Sequence, residues 1–150
     1  MGLLTNRKTK ENTIIIGCGR LGANLANTLS DKGRSVLIVD NDKGAFRKLS
    51  SSFGGIVVSG DATEIKVLKE AQIENAAAVV AVTNNDNTNI MVAQMAKELF
   101  NVQHVIARLY DPERECVYRE FGIDTICPAV LSAKEIDKLL NISDIWEDSI

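Results

Sequence analysis

The sequence has little of the side-chain chemistry on which hydrolytic and metal-dependent enzymes rely. It contains one histidine, His104, and three cysteines, Cys18, Cys116 and Cys127. None of the cysteines belongs to a C-x-x-C pair, so we expect neither a metal site nor a disulfide framework, and the odd number fits a reducing cytosol. Cys18 could be a sensor thiol, but a small packed side chain is the simpler interpretation.

Long apolar runs and an excess of basic residues are also missing. No stretch approaches the ~20 apolar residues that cross a bilayer, and the first residues lack the apolar core of a secretory leader. The 20 acidic residues outnumber the 17 basic ones, whereas a domain that binds phosphate backbones normally carries a basic surplus. We therefore predict one soluble domain with no direct membrane insertion and no nucleic-acid partner.

Short β-branched or apolar runs alternate with segments of helical apolar spacing. This alternation predicts an α/β, Rossmann-like, doubly wound parallel sheet of six strands in the order 3-2-1-4-5-6, followed by a C-terminal helix. We expect a flexible lead-in at 1–12, a nucleotide-binding domain at 13–128, and a C-terminal helix and tail at 129–150. Strands are predicted at 13–16, 35–40, 56–59, 78–83, 105–109 and 124–127, and helices at 20–32, 43–52, 64–71, 87–100, 113–121 and 132–140.

The last predicted helix is more apolar than a terminal helix needs to be. Pro128 ends the preceding strand, and Ser132 with Glu135 forms an S-x-x-E capping box that places the helix start at Ser132. The segment either folds back on the domain or forms a docking surface for another chain. Its apolar residues are Ile136, Leu139, Leu140, Ile142, Ile145 and Trp146.

A glycine-rich loop, running from Gly17 through Cys18 and Leu21 to Gly22, follows the first strand and opens the first helix. Gly17 allows a tight turn, Gly19 lets a pyrophosphate approach the backbone, and Gly22 lets the helix pack closely on the strand. The free N–H groups of the helix start then attract the anion. We expect Arg20, at that helix start, to reach a phosphate; the alternative is a solvated surface arginine.

Asp40 ends the second strand, where the dinucleotide fingerprint requires an acidic residue. Its carboxylate can accept hydrogen bonds from both ribose hydroxyls and would repel a 2′-phosphate, which favours NAD or an adenine nucleotide over NADP. We include Asn41 in the predicted site. Lys43 and Arg47 leave some tolerance of NADP open, and capping of the next segment, a role that Asn41 or Asp42 could also fill, is the alternative for Asp40.

Other polar residues follow the remaining strands, on the rim where open α/β sheets bind ligands. Asp61 and Ala62, after Gly60, are expected to border the base, and Thr83 and Asn84 the ribose or phosphates. Arg108 ends the fifth strand on the same rim. Polar residues also cap helices at such places, so binding and capping remain alternatives for each of them.

A catalytic set is not apparent. His104 precedes a strand and is most simply a surface residue. Neither tyrosine has a lysine four positions later, where Gly122 stands for Tyr118 and Arg114 for Tyr110. No G-x-x-x-x-G-K-[ST] loop occurs. The sequence therefore predicts nucleotide binding without catalysis.

The combination of these motifs resembles the regulator-of-potassium-conductance (RCK) domain, or TrkA-N domain, of the cytosolic subunits of bacterial Trk and Ktr potassium uptake systems. The resemblance covers about 13–140, and we expect no counterpart of that family's usual C-terminal ligand-binding lobe. The matching segments are 14–22, 39–40, 60–62, 82–83 with Asp86 and Asn89, 106–108 and 122–124.

This resemblance implies a cytoplasmic lobe that binds NAD(H), ATP, ADP or AMP, dimerises through its later helices, often forms rings, and gates a potassium channel or transporter at the inner face of the membrane. By position, it implies phosphate contacts at Gly17, Gly19, Arg20 and Gly22 and a ribose contact at Asp40. We therefore expect a regulatory subunit that controls potassium uptake or conductance. The alternatives are the cofactor domain of an NAD-dependent oxidoreductase and a free-standing nucleotide or redox sensor.

Overall fold

A computed structural model describes residues 10–140 and confirms the predicted sheet. Six parallel strands lie in the order β3-β2-β1-β4-β5-β6. They are β1 (Asn12–Ile16), β2 (Val36–Asp40), β3 (Ile56–Ser59), β4 (Ala76–Ala81), β5 (His104–Arg108) and β6 (Asp124–Ile126). The α-helices are α1 (Arg20–Asp31), α2 (Ile65–Glu70), α3 (Asp86–Glu98), α4 (Glu115–Arg119) and α5 (Pro128–Leu140), and 3-10 turns occupy Lys43–Lys48, Ile73–Asn75 and Pro112–Arg114.

The side chains of alternate residues in the central strands pack into two apolar cores, one on each face of the sheet. Ile14 and Ile16 of β1 pack with buried residues of α2 and α3, whereas Ile15 between them packs with α1 and the turn after β2. Because a strand covered on both faces buries its side chains on both, the buried parts of β1 (14–16) and β2 (36–39) are continuous apolar runs. This arrangement places the C-terminal ends of all strands on one rim.

The segment after β2 differs from the prediction. A helix was expected at 43–52, but the structure has a 3-10 turn over Lys43–Lys48, to which Asp42 supplies the N-cap by accepting a hydrogen bond from the Gly44 N–H at 2.9 Å. Gly44 and the serines at 50–52 are poor helix formers, which explains the short segment. The turn buries Ala45 against the first turns of α1.

The predicted capping box at Ser132 is wrong. Helix α5 begins at Pro128, and the Leu131 N–H already donates to the Cys127 carbonyl at 3.1 Å, so Ser132 lies inside the helix. Proline is favoured in the first helical turn because its missing N–H would have no partner there. Pro128 therefore starts the helix as well as ending β6.

Smaller differences concern element ends. Strand β1 begins at Asn12, within the predicted lead-in, and β4 ends at Ala81, which leaves Thr83 in the loop. The expected helix at 113–121 is a 3-10 turn followed by α4. Ile142, Ile145 and Trp146 lie outside the described residues. Within 10–140, no helix has the length and apolar character needed to cross a bilayer.

Candidate functional site

The glycine loop has the backbone geometry that its sequence predicts. Gly17 adopts φ +106°, and a Cβ there would lie 3.0 Å from the Thr83 nitrogen, so the turn leaves no space for a side chain. A Cβ on Gly22 would lie 1.8 Å from the Gly17 carbonyl oxygen. A Cβ on Gly19 would meet nothing within 4 Å. Gly17 and Gly22 thus close the loop, and Gly19 faces open space where a ligand can approach.

The N-terminus of α1 is suited to binding an anion. Its N-cap is Gly19, which offers no side-chain cap, and its first turn contains no acidic residue. Without a side-chain cap, the first-turn N–H groups are free to bind an anion, and the helix dipole adds about half a positive charge. A phosphate at this end would receive several N–H hydrogen bonds at once.

Asp40 joins the glycine loop to the end of β2. Its Oδ2 accepts a hydrogen bond from the Cys18 N–H at 2.8 Å, and its Oδ1 accepts one from the Asp42 N–H at 2.9 Å. Each carboxylate oxygen has two lone pairs, so both retain capacity for a ribose hydroxyl. Asp42, rather than Asp40, therefore caps the segment after β2, and Asp40 holds the glycine loop in place.

Cys18 is a packed core residue. It is fully buried, its Sγ donates to the Ala45 carbonyl at 3.4 Å, and burial, followed by the negative charge of Asp40, raises the pKa of its thiol. A buried thiol held in its protonated form is a poor nucleophile. The geometry therefore favours the packed side chain over the sensor thiol.

Asp61 combines a local turn with a position at the ligand rim. Its Oδ1 accepts hydrogen bonds from the Thr63 N–H at 2.9 Å and the Thr63 hydroxyl at 2.7 Å, and these bonds lower the pKa of the carboxyl group. The group is therefore ionised at neutral pH. Its Oδ2 lies outside these bonds, so turn formation and ligand binding are compatible at this residue.

The opposite wall is built from the ends of β4 and β5. The Arg108 Nη2 donates to the carbonyls of Val82 and Thr83 at 2.9 and 2.8 Å, and its guanidinium lies 5.4 Å from the centroid of the Tyr110 ring. The Thr83 N–H donates to the Oδ1 of Asn89 at 2.8 Å. Arg108 thus fixes the wall in addition to bordering the ligand space.

These features enclose one pocket of about 520 Å³, a volume typical of small-molecule sites. Of the predicted residues, the pocket lining includes Gly17, Cys18, Gly19, Asp40, Asn41, Gly60, Asp61, Ala62, Thr83, Asn84 and Arg108. Their roles in binding remain predictions.

Three predicted residues are not in the lining. Gly22 packs under the loop, and Leu21 is 40% exposed on the helix surface. Arg20 lines a second, shallower pocket on the outer flank of α1 with Lys48, which borders both pockets. A phosphate contact by Arg20 therefore requires its side chain to turn towards the loop.

Comparison with known proteins identifies the family. The TrkA-N domain model matches residues 13–128. The chain belongs to the TrkA-N family. The predicted resemblance is thereby confirmed, and the match spans β1 to the first residue of α5.

Relatives and solved structures agree with this assignment. The chain is 41% identical over 138 residues to the Trk system potassium uptake protein TrkA of Streptomyces coelicolor, covering 90% of this chain and 62% of that protein. The TrkA-N domain of the Escherichia coli inner membrane protein ybaL has the same fold, with a TM-score of 0.78, 18% identity, and coverage of 89% of this chain and 98% of that domain. The chain therefore spans about three fifths of the TrkA relative.

Structures of GsuK give a parallel with bound nucleotides. The structure of GsuK bound to ADP has a TM-score of 0.74 at 27% identity and covers 91% of this chain and 35% of that one. GsuK has also been solved bound to NAD, with the same TM-score and identity and coverage of 89% of this chain and 24% of that one. Both ligands contain an adenosine diphosphate group.

Sequence reasoning missed several residues of this TrkA-N pocket. Lys48 was overlooked because a regular helix was expected at 43–52, whereas the chain forms a 3-10 turn that brings Lys48 back to the glycine loop; its Nζ donates to the Cys18 carbonyl at 3.4 Å. Asn85 had a signal, since it follows a strand and caps α3 by accepting from the Thr88 N–H. The other polar residues missed in the lining are Asp42 and Thr88.

Proposed function

We propose that the chain is the nucleotide-binding lobe of a regulatory subunit that controls potassium uptake or conductance through a membrane partner. The observation that carries this proposal is the shared pocket of the uncapped α1 terminus, which suits phosphates, and Asp40, which suits a ribose. Membership of the TrkA-N family and the ADP and NAD complexes of GsuK support it.

The charges around the pocket favour NAD(H), ADP, ATP or AMP over NADP. Asp40, Asp42 and Asp61 all line the pocket, where β2 and β3 end. Three carboxylates would repel a 2′-phosphate, and the cations considered for NADP tolerance, Lys43 and Arg47, are exposed residues outside the lining. Lys48 is the lysine that borders the pocket, and it lies beside the glycine loop, where it suits a pyrophosphate.

Calorimetric titration of the purified chain with NAD, NADH, ATP, ADP and AMP tests this proposal. We expect at least one of them to bind with a dissociation constant well below a millimolar, which means a binding free energy more favourable than roughly -4 kcal/mol. NADP should bind more weakly than NAD. Binding of none of the five would refute the nucleotide proposal, and steady turnover of NADH by the chain alone would favour the oxidoreductase alternative.

The C-terminal helices offer a surface for self-association, which we include in the proposal. Leu139 is 75% exposed and Ile136 is 55% exposed, and apolar residues of α4 and β6 are exposed as well. Clusters of exposed apolar side chains are typical of protein interfaces. The exposed set is Val117, Phe121, Ile126, Val130, Leu131, Ile136, Leu139 and Leu140. Because these side chains are exposed within 10–140, we propose docking rather than folding back, with a second copy as the occupant.

The double substitution Ile136→Asp with Leu139→Asp should convert a dimer to a monomer. Two charges at the centre of an apolar interface cost at least about 2 kcal/mol each, so the dissociation constant should rise more than 100-fold. Sedimentation velocity measures it. Leu99→Asp, which changes a 58% exposed leucine at the end of α3, is the control and should remain dimeric. A wild type that is monomeric at 100 μM, or a dimeric double variant, contradicts this interface.

A further inference from the structure

Asn89 is a buried polar residue that lies behind the wall of the ligand space. It lies in α3, is completely buried, and is not part of the pocket lining. Its Oδ1 accepts from the Thr83 N–H at 2.8 Å and from the Thr83 hydroxyl at 2.6 Å. Its Nδ2 donates to the carbonyls of Thr83 and Arg108, both at 3.0 Å. All the strong hydrogen-bonding capacity of this amide is therefore used within the protein.

These bonds join the pocket wall to the end of β5. Thr83 lines the pocket, and the Arg108 carbonyl belongs to the last residue of β5. Strand β4 ends at Ala81, so Thr83 is already beyond the sheet ladder and depends on other partners for its position. Asn89 supplies partners for both its N–H and its carbonyl.

The same end of α3 also holds the segment that follows β5. The Asp86 carboxylate accepts from the Tyr110 N–H at 2.9 Å and from the Asp111 N–H at 3.2 Å. Asp111 then caps the 3-10 turn that leads into α4. A displacement of Thr83 can therefore reach the start of α4 through one rigid helix end.

We propose that Asn89 is a positioning residue of the nucleotide pocket, which fixes Thr83 through its oxygen and couples Thr83 to the Arg108–Asp111 segment through its nitrogen. The inference rests on the proposed nucleotide function and deepens it by naming how occupancy of the pocket is passed towards α4. The two halves of the amide have different tasks because one accepts hydrogen bonds and the other donates them. An ionised aspartate of the same shape keeps only the first task, whereas a protonated one could still donate to one of the two carbonyls.

Three variants separate these roles. Asn89→Ala removes all the bonds, and Asn89→Asp keeps an acceptor for Thr83 while losing the donors to the two carbonyls. Val92→Ala is the matched control, because Val92 is equally buried, lies in the same helix, and contacts the apolar core rather than the pocket. Thermal melting of each variant shows whether a change in binding is accompanied by a loss of stability.

The readouts are ADP and NAD affinity by calorimetry, and amide hydrogen exchange with and without saturating ADP. In the wild type, ADP should slow exchange at both 83–85 and 109–114. Asn89→Ala should weaken ADP binding at least tenfold and abolish the response at 109–114. Asn89→Asp should bind ADP within threefold of the wild type but still lack that response. Val92→Ala should melt earlier and retain both properties.

Each of the other possible results contradicts one part of the proposal. If Asn89→Ala behaves like Val92→Ala, or the wild type shows no response at 109–114, Asn89 is merely structural and the inference fails while the proposed function stands. If Asn89→Asp recovers both properties or neither, the division between oxygen and nitrogen is wrong. If the wild type binds neither ADP nor NAD, the proposed function fails and this inference fails with it.

Discussion

Gly22→Ala should unfold the chain or destabilise it by at least about 3 kcal/mol, a large part of the 5–15 kcal/mol that a domain of this kind has. In an ordinary helix the same substitution stabilises by up to about 1 kcal/mol, because alanine is the better helix former. Here the added Cβ would lie 1.8 Å from the Gly17 carbonyl oxygen, and backbone cannot move aside as a flexible side chain can. Urea unfolding measures the change.

Gly19→Ala is the matched control within the same loop. Gly19 has φ -79° and ψ -166°, which any residue can adopt, and its Cβ would meet no atom within 4 Å. The variant should therefore keep its stability within about 1 kcal/mol. Its methyl group occupies the approach to the α1 terminus, so ADP affinity should fall at least tenfold. Equal stability of the two variants would contradict the loop geometry described above.

Asp40→Asn should lower NAD affinity by about 10- to 100-fold and reduce the preference for NAD over NADP. A hydrogen bond to a charged group contributes about 1.5–3 kcal/mol, and the ribose loses such an acceptor. The amide nitrogen also cannot accept from the Cys18 or Asp42 N–H, so one of these donors loses its partner. Calorimetry with NAD and NADP measures both effects.

The control for this prediction is Asp31→Asn, which removes one carboxylate from the exposed end of α1, away from the pocket. It should leave both affinities unchanged, because exposed charges are screened by salt. An unchanged ratio of NAD to NADP affinity in Asp40→Asn would show that Asp40 does not face the ribose.

The sheet and the centre of the site could be predicted from the sequence because their signals are local. Glycines between a β-branched strand and a helix specify a turn, and Asp40 ends the next strand, so parallel pairing alone brings them to the same rim. The parallel sheet followed from the strict alternation of strands and helices, and the strand order from the match of six strands to two mononucleotide-binding halves. These features depend on backbone rules rather than on side-chain packing.

The residues that were missed depend on tertiary contacts. Lys48 reaches the loop through an irregular turn. Asn89 belongs to the matching motif in the sequence, but its complete burial and its hydrogen bonds to Thr83 and Arg108 have no local signal there. The start of α5 was misplaced because a capping box at Ser132 is a local pattern, whereas the chain turns into the helix at Pro128. Where two local signals compete for the start of a helix, the packing of the surrounding residues decides between them.

The most direct test of the account is a titration of the isotopically labelled chain with ADP, followed by backbone amide NMR. We expect shift changes to concentrate at 17–22, 40–42, 60–63 and 83–85, with smaller changes at 109–114. The first four segments follow four separate strands and meet at the pocket, whereas 109–114 follows β5 outside the lining and responds through α3. Changes confined to the exposed surface of α4 and α5, or no saturable change up to several millimolar ADP, would contradict it.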